Sequence, residues 1–543
     1  VYDGGIYLLR GGKTAESARD LLLVKNDPRY NEMQPRPVVP YRDIYGIDEP
    51  ADLDWLPNDG SAHRELPEGT PFGLVGTSSF YKRNTSPGFG PKEFDGLDPF
   101  NTRENGASPN WFLQGAEAGR YADEDVYAVR IVALEPTSHF SYGPYAGRNF
   151  FNHAKERMRI LGEIPLRKVD GAGNPILDPD GNPDTSFLAK IPADVPFTFQ
   201  TLDRNGMVLN MAQTWHQLRP GEVRNDCGGC HAHAQVGTEF SRTYAARPEY
   251  EVADLTEVTP LLSRDAAGNT IVKSALPRAV DVEYYRDIKP ILERSCVSCH
   301  SLRGEAAAGL VLDDERLVGG YENTYNRLAN DPQAKYGPKP LIGSWRQTNA
   351  SRYVRKFQSR RSLLAWKVFG RRLDGWTNDD HPTESVPGDP STFPKGANPN
   401  RADIDFVGAI MPPPDADVPK LTEDEKMTIA RWIDLGCPIN RNERGRRDRG
   451  WFLDELRPTL TVTSPRAGAN ESLDRILIGM HDYYSGLDEE SFRVVADFPV
   501  DGARAGKNLA SRFARRSPGV WELRLEEPIR ALTRATLSVS VED

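Results

Sequence analysis

Two short cysteine motifs constrain this chain more than any other feature of its sequence. Four of the five cysteines lie in them, as Cys227-Gly228-Gly229-Cys230-His231 and Cys296-Val297-Ser298-Cys299-His300. Each motif reads C-x-x-C-H, in which two thiols add to the vinyl groups of haem c and the adjacent histidine binds the iron. The sequence therefore predicts two covalently bound haem c groups, one at each motif.

Other uses of paired cysteines fit the spacing less well. Two C-x-x-C pairs can form a zinc ribbon, but such pairs are usually about 15 to 20 residues apart, and Cys230 and Cys296 are much more distant. A histidine after both pairs also favours haem over zinc or a disulfide. The fifth cysteine, Cys437, lies between Gly436 and Pro438, and we expect a buried thiol at a helix end.

Composition excludes several classes of protein. The net charge is −10, charged residues make up 27% and hydrophobic residues 38%, which is typical of a mildly acidic globular protein and not of a nucleic-acid binder. No apolar run approaches the length of about 18 to 20 residues that spans a bilayer. The chain starts at Val1 without an initiator methionine, and we expect that a signal segment was removed and that an upstream domain is absent.

A chain of 543 residues exceeds what one hydrophobic core normally organises. The predicted fold is multidomain and mainly β, with an α-helical cytochrome c-like domain. The predicted divisions are an extended N-terminal segment (1–60), a β-rich middle domain with the first motif (61–275), a helical cytochrome c-like domain with the second motif (276–445) and an Ig-like antiparallel β-sandwich (455–543).

Local patterns support this division. Apolar residues alternate before and after Asp203-Arg204-Asn205-Gly206, which predicts a hairpin that leads toward Cys227. The stretch 178–184 resembles a calcium loop, but its glycine comes too early for that loop, and a hairpin turn is favoured. Around the second motif the period becomes helical, with Ser362 as a cap of one helix and Thr422 with Glu425 as the capping box of another.

The distal ligand of the second haem has two candidates. Met411 lies in Ala409-Ile410-Met411-Pro412-Pro413-Pro414, just before the last predicted helix, and a methionine in a rigid proline turn is a common distal ligand of small cytochromes c. His381, in Asp379-Asp380-His381-Pro382, is the alternative. The choice matters because methionine with histidine raises the haem potential, whereas two histidines generally lower it.

The first motif has further histidines nearby. His231 and His233 are two residues apart, so on a strand they would face the same side and could share one metal. His216, His153 and His139 are candidates for the sixth ligand of that iron. Basic side chains could pair with haem propionates, although a solvated face is the favoured interpretation; they are Arg352, Arg355, Lys356, Arg360, Arg361, Arg371 and Arg372.

Four stretches carry a family resemblance. They are Phe187-Leu188-Ala189-Lys190-Ile191-Pro192-Ala193-Asp194, Leu202-Asp203-Arg204-Asn205-Gly206-Met207, Arg219-Pro220-Gly221-Glu222, and 73–81. They resemble the middle domain of the hydrazine synthase alpha subunit and its relatives. The resemblance covers about residues 60 to 440 and implies that a β-propeller precedes the middle domain and a cytochrome c-like domain follows it. Residues 1–60 would then be a remnant of that propeller.

The resemblance also bears on the two metal sites. In that family a tyrosine four residues after the first motif histidine ligates the iron, and the motif histidine helps to bind zinc. Here His231 and His233 match, but Gln235 occupies the tyrosine position, so the fold carries over better than the reaction. The second haem of that family is bis-histidine, which implies His381 as a ligand.

Two functions follow from these expectations. The favoured one is an exported electron-transfer cytochrome, periplasmic or extracellular and associated with the cell surface, that meets redox partner proteins as a subunit of a larger complex. The alternative is a haem enzyme similar to hydrazine synthase, with an open iron position at the first haem and zinc beside it. A zinc-bearing structural protein without haem is a third hypothesis.

Overall fold

A computed structural model gives the structure of the chain. It describes residues 5–9, 15–27, 29, 32, 35, 39–48, 56–81, 118–136, 150–154, 156–212, 215–226, 236–275, 279–336, 350–397, 402–440 and 450–543. The chain is mostly β with few helices, as predicted. It divides into two compact units, Val1–Trp55 and Leu56–Asp543.

The smaller unit contains one hairpin, one 3-10 turn (Ala18–Asp20) and one short α-helix among its described residues. Strand β1 (Ile6–Leu9) pairs antiparallel with β2 (Leu21–Lys25). Helix α1 (Tyr41–Tyr45) ends at Gly46, whose φ of 73° is readily adopted only by glycine.

The larger unit begins with two four-stranded sheets. The strands up to residue 275 are β3 (Phe72–Thr77), β4 (Ala128–Pro136), β5 (Phe150–Phe151), β6 (Glu156–Pro165), β7 (Phe187–Pro192), β8 (Phe197–Leu202), β9 (Val208–Met211), β10 (Val223–Arg224), β11 (Ala253–Asp254), β12 (Thr259–Arg264) and β13 (Thr270–Ala275). Sheet one has the order β10-β3-β7-β11 and sheet two the order β6-β4-β8-β9, while β12 and β13 form a separate hairpin.

The hairpin predicted before the first motif is confirmed. Strands β8 and β9 pair antiparallel, and the turn between them is held by Asp203, whose carboxylate accepts the backbone N–H groups of Asn205 and Met207 at 2.8 and 3.0 Å. Gly206 has a φ of 73°. The stretch 178–184 is also a turn, as predicted, because Asp178 accepts the N–H groups of residues 180 and 182 in the same way.

The two sheets are layers of one packed body. Apolar side chains of both sheets form one buried cluster, including Val75 and Ile191 of sheet one with Val129 and Ile131 of sheet two. Ala128 and other residues that alternate with that set belong to a second cluster, which also contains the helices that follow. Sheet two is therefore covered on both faces, by sheet one and by helices.

The region from 279 to 440 supplies those helices. A π-helical turn, Tyr284–Ile288, leads directly into the first of them. The helices and short strands are α2 (Lys289–Ser295), β14 (Leu317–Val318), β15 (Tyr321–Glu322), α3 (Asn323–Ala329), α4 (Leu363–Phe369), α5 (Glu423–Asp434) and β16 (Ile439–Asn440). Within the described part of the chain no helix combines the length and apolarity needed to cross a bilayer.

Of the two predicted helix caps, one is confirmed and the other is not. Thr422 and Glu425 form the expected capping box at α5. Ser362 precedes α4 as predicted, but its hydroxyl donates to the carbonyl of Gln358 at 2.8 Å and does not cap the helix. That part of the prediction is wrong because the hydroxyl oxygen, which would have to accept an N–H of the helix, instead accepts the N–H of Arg355 at 2.9 Å. Cys437 is fully buried after α5, as expected.

The last region is again β. Its strands are β17 (Thr459–Ser464), β18 (Leu473–His481), β19 (Asp488–Ala496), β20 (Ala514–Ser517), β21 (Val520–Ile529) and β22 (Leu537–Glu542). They form a sheet of order β17-β18-β21-β20 and the pair β19-β22, which share one apolar cluster. The Ig-like class of this region, the cytochrome c-like class of the helical region and the finer domain division stay predictions.

Glu163 on β6 is the centre of a buried ion cluster that joins the sheet to the last helix. Its carboxylate accepts hydrogen bonds from Nε of Arg130 on β4 at 2.8 Å and from Nε and Nη2 of Arg431 on α5 at 3.0 and 2.8 Å. The N–H of Leu262 on β12 donates to it at 2.7 Å. Burial raises the pKa of Glu163, but the two guanidiniums outweigh burial and hold the pKa at about 2.

Replacing Glu163 by glutamine should destabilise the protein strongly at pH 7. The change leaves two buried guanidiniums without their shared counter-charge, which costs about 3 to 5 kcal/mol of unfolding free energy. Denaturant unfolding of Glu163→Gln measures the loss, and Glu257→Gln at an exposed position is the control, for which we expect almost no change.

The difference in unfolding free energy between wild type and Glu163→Gln should also depend on pH. The folded pKa of about 2 lies below the ordinary value of 4.5, so the stabilisation is complete above pH 4.5 and is lost as the pH falls toward 2. The gap in unfolding free energy between wild type and Glu163→Gln should therefore narrow as the pH falls over that range. A gap that stays constant would contradict the ionic role of this carboxylate.

Candidate functional site

The second motif begins where α2 ends. The N–H of Cys296 still donates to the carbonyl of Leu292 at 2.8 Å, and the N–H of His300 donates to the carbonyl of Cys296 at 3.1 Å. These bonds turn the chain tightly, so both thiols and the imidazole lie on one turn. Cys296 is half-buried and Cys299 exposed, and both are free of disulfides. Burial raises the pKa of the Cys296 thiol to about 11, so this cysteine is a thiol and not a thiolate.

The imidazole of His300 is oriented by its own loop. Its Nδ1 is 3.1 Å from the carbonyl oxygen of Ala307, an arrangement in which Nδ1 donates its proton. The other nitrogen, Nε2, then carries the lone pair that a metal needs. A carbonyl that orients a ligating histidine in this way is a common feature of metal sites, and these residues fit a haem iron.

The loop around His300 is itself held by backbone bonds. The N–H of Leu312 donates to the carbonyl of His300 at 2.8 Å, and the N–H of Ala307 donates to the carbonyl of Cys299 at 3.1 Å. Cys296 and Leu310 also contact the large apolar cluster beneath. The motif therefore lies on a supported turn. Ala307 could not be predicted from the sequence, because every residue has a backbone carbonyl that can accept such a hydrogen bond.

Met411 lies on the segment between α4 and α5. Its N–H donates to the carbonyl of Lys367 on α4 at 2.8 Å, and the preceding Ile410 contacts Gly370 at the end of that helix. The side chain of Met411 is half-buried. The segment is thus attached to α4, and its thioether remains a candidate ligand.

His381 is buried in a cluster of charged groups. Its Nε2 is 2.7 Å from Nη1 of Arg372, and a guanidinium can only donate, so the lone pair of Nε2 accepts that hydrogen bond. Burial lowers the pKa of His381, which agrees with a neutral ring. In this arrangement Nε2 is already engaged, although the choice between His381 and Met411 stays a prediction.

Several of the basic residues named from the sequence are not on a solvated face. Arg355, Arg360 and Arg361 are almost fully buried, so that expectation is wrong for them. Arg355 and Arg361 pair with Asp403, which also binds Arg372 at 3.2 Å. Because long-range partners supply the counter-charge, the run of basic residues alone could not reveal this burial. Burial, together with the neighbouring guanidinium of Arg355, lowers the pKa of Arg361 to about 9.

The first motif lies outside the described residues. This applies to every predicted site residue there, namely Cys227, Cys230, His231 and His233, and also to Gln235 and His139. Of the other ligand candidates, His153 is half-buried with its Nε2 2.8 Å from the carbonyl of Ala329, and desolvation of the ring lowers its pKa to about 3. His216 pairs with Phe197 beside sheet two. The assignment of a sixth ligand there stays a prediction.

Comparison with known proteins places the chain among relatives. Residues 125–232 match the family described as the hydrazine synthase alpha subunit middle domain. Over 353 residues the chain is 26% identical to hydrazine synthase subunit alpha of Kuenenia stuttgartiensis. The chain is related to the hydrazine synthase alpha subunit. This agrees with the resemblance seen in the sequence.

The relationship to the hydrazine synthase alpha subunit covers part of each protein. The aligned region takes in 58% of this chain and 38% of that subunit, so the chain spans well under half the length of this relative. A solved structure of Kuenenia stuttgartiensis hydrazine synthase aligns with 69% of this chain and 44% of its own, at 20% identity and a TM-score of 0.40.

Separate substitutions of Met411 and His381 should distinguish the two distal ligands. We expect Met411→Leu to lower the midpoint potential of the second haem, because a thioether ligand raises it, and His381→Gln to leave that potential nearly unchanged. Spectroelectrochemical titration measures both. A changed potential in His381→Gln with an unchanged one in Met411→Leu would identify His381 as the ligand. Two unchanged potentials would contradict both assignments.

Proposed function

We propose that the chain is a dihaem c-type cytochrome that transfers electrons within or to a larger redox complex. The observation that carries this proposal is the geometry of the second motif. The hydrogen bond from Nδ1 of His300 to the carbonyl of Ala307 leaves Nε2 available to bind an iron. The haem would attach through Cys296 and Cys299. Bound there, it would supply a one-electron couple, and the chain would hold, orient and partly shield it.

The packing of the larger unit supports transfer between two haems. The β-rich region that precedes the first motif and the helices that surround the second motif share one buried apolar cluster. The cluster around Glu163 adds a rigid polar connection between them. A rigid connection keeps the separation of two redox groups constant, which suits repeated electron transfer.

The partners and location belong to the same proposal. The relative is named as a subunit of hydrazine synthase, which supports a place for this chain in a larger complex with redox partner proteins. Covalent haem attachment supports an exported protein, periplasmic or extracellular and associated with the cell surface. Neither a nucleic-acid partner nor a membrane span is part of the proposal.

A second candidate function is a haem enzyme similar to hydrazine synthase. The match over residues 125–232 favours it, because this range reaches the first motif and includes His231. It would need an open iron position at the first haem, with zinc bound by His231 and His233. Gln235, at the position where the family has tyrosine, distinguishes this chain from that pattern.

Haem content assigns each group to its motif. We expect two haems per wild-type chain by the pyridine haemochrome method, and one for the Cys227→Ala/Cys230→Ala and Cys296→Ala/Cys299→Ala variants. Cys437→Ala, which removes a buried thiol outside both motifs, should retain two. A wild type without a Soret band would exclude haem and leave a structural protein.

Carbon monoxide then separates the two functions. If both irons are six-coordinate, the spectrum of the reduced protein should not change when carbon monoxide is added, and this is the result expected for electron transfer. A shifted Soret band that disappears in the Cys227→Ala/Cys230→Ala variant would instead identify an open iron at the first site. Elemental analysis for zinc in wild type and in His233→Ala then tests whether His233 binds zinc, as the enzyme hypothesis requires.

A further inference from the structure

Three aspartates from separate segments meet beside the C-terminal β region. Each of Asp454, Asp482 and Asp543 offers a carboxylate oxygen, and these oxygens lie within 4.8 Å of one another. Asp454 lies between β16 and β17, Asp482 directly follows β18, and Asp543 directly follows β22. In the described part of the chain no other group of three or more acidic, histidine or cysteine side chains meets at such distances. The fold therefore brings three negative charges to one place.

The charge of these carboxylates is not balanced by the protein. Among the described residues none of the three forms an ion pair with a lysine or an arginine. The hydroxyl of Ser485 is 3.0 Å from Oδ2 of Asp454 and 3.4 Å from Oδ2 of Asp482, but a hydroxyl has a single proton to donate. Because like charges at this separation repel each other, the cluster is suited to hold a cation.

Asp482 provides a second, independent observation. Its side chain is only 6% exposed. Its Oδ2 accepts the N–H of Tyr484 at 2.9 Å and also the N–H of Gly486, and these bonds fix the carboxylate in the loop after β18. Its Oδ1 is buried and has no hydrogen-bond partner within the ranges that the structure describes. A buried carboxylate oxygen without a partner is costly, and a cation bound by the cluster would satisfy it.

The ligand type and the spacing select the class of cation. The cluster offers carboxylate oxygens, which hard cations such as Ca²⁺ prefer, whereas zinc and copper favour nitrogen and sulfur. Ca²⁺–oxygen distances of about 2.3 to 2.6 Å place oxygens on opposite sides of the ion about 4.6 to 5.2 Å apart, so oxygens within 4.8 Å of one another fit around one calcium ion. Mg²⁺, with distances of about 2.0 to 2.1 Å, requires a tighter cluster and gives up its water reluctantly.

We propose that Asp454, Asp482 and Asp543 bind one Ca²⁺ ion. Asp543 is exposed, so water completes the coordination shell on that side. The ion joins the segment before β17, the loop after β18 and the end of β22. It also lies next to the contact between the C-terminal region and the rest of the larger unit, because Tyr484 donates to Asp281 at 2.7 Å. Calcium therefore stabilises the C-terminal region, and this role goes beyond electron transfer and requires no haem at either motif.

Equilibrium dialysis of the chelator-treated holoprotein against CaCl₂ measures the binding. We expect one ion per wild-type chain, with a dissociation constant of about 10⁻⁴ to 10⁻³ M, as in weaker calcium modules. Asp482→Asn should abolish this binding and Asp543→Asn should weaken it about tenfold, because affinity depends on the number of charged ligands. Asp474→Asn removes the same charge from an exposed position on β18, outside the cluster, and should bind calcium like wild type.

Thermal unfolding provides a second measurement. Without calcium, Asp543→Asn should be at least as stable as wild type, because the substitution relieves repulsion between the carboxylates. With excess CaCl₂ the Tm of wild type should rise, since an ion that binds only the folded state stabilises it, and the Tm of Asp543→Asn should rise much less. The exposed position of Asp543 keeps this comparison valid even if Asp482→Asn does not fold.

Four results would overturn the inference. Wild type without saturable calcium binding would have no such site. Undiminished binding in both Asp482→Asn and Asp543→Asn would place the ion elsewhere. An equal loss of binding in Asp474→Asn would reduce the effect to general surface charge. Equal affinity for Mg²⁺, measured by dialysis against MgCl₂, would contradict calcium as the ion.

Discussion

The carboxylate of Glu163 is the contact on which the packing of the larger unit depends. It bonds to Arg130 within its own sheet, to Arg431 on the last helix and to the backbone of Leu262. A buried carboxylate shared by two guanidiniums tolerates little rotation of α5, because a small turn would leave charges unpaired in the interior. Apolar packing alone would allow more variation, since it has no direction. The ionic cluster therefore determines how the helices that surround the second motif meet the sheet that precedes the first.

The C-terminal region is attached to the same sheet by a second buried ionic cluster. Arg159 on β6 binds Glu135 at 3.0 Å and Asp281 at 2.6 Å. Tyr484, from the C-terminal region, donates to Asp281 at 2.7 Å, and its ring lies 3.4 Å from the guanidinium of Arg159. Tyr483 donates to Glu135. Charged residues of sheet two thus form one buried ionic cluster with the helical region and another with the C-terminal region. These clusters join the regions to the sheet, as apolar contacts do in most domain interfaces.

The sequence predicted the features that depend on neighbouring residues. The turn at Asp203, the capping box at Thr422 and the burial of Cys437 all follow from short-range patterns, and all are confirmed. The buried arginines could not be predicted in this way, because Arg431 finds its counter-charge on Glu163, far away in the sequence. The same holds for Arg361 and Asp403. At the second motif the spacing predicted the ligating groups, but the carbonyl that orients His300 has no side-chain signature.

The second motif and the cavity beside sheet one differ in how they are built. At the second motif, the loop from 296 to 312 provides the thiols, the histidine and the carbonyl that orients it, so the site is largely encoded by one segment. The lining of the cavity of about 600 Å³ beside sheet one comes from distant segments that include His63, Leu188 and Arg247. A cavity assembled from several segments can change one wall by substitution while the other walls stay in place.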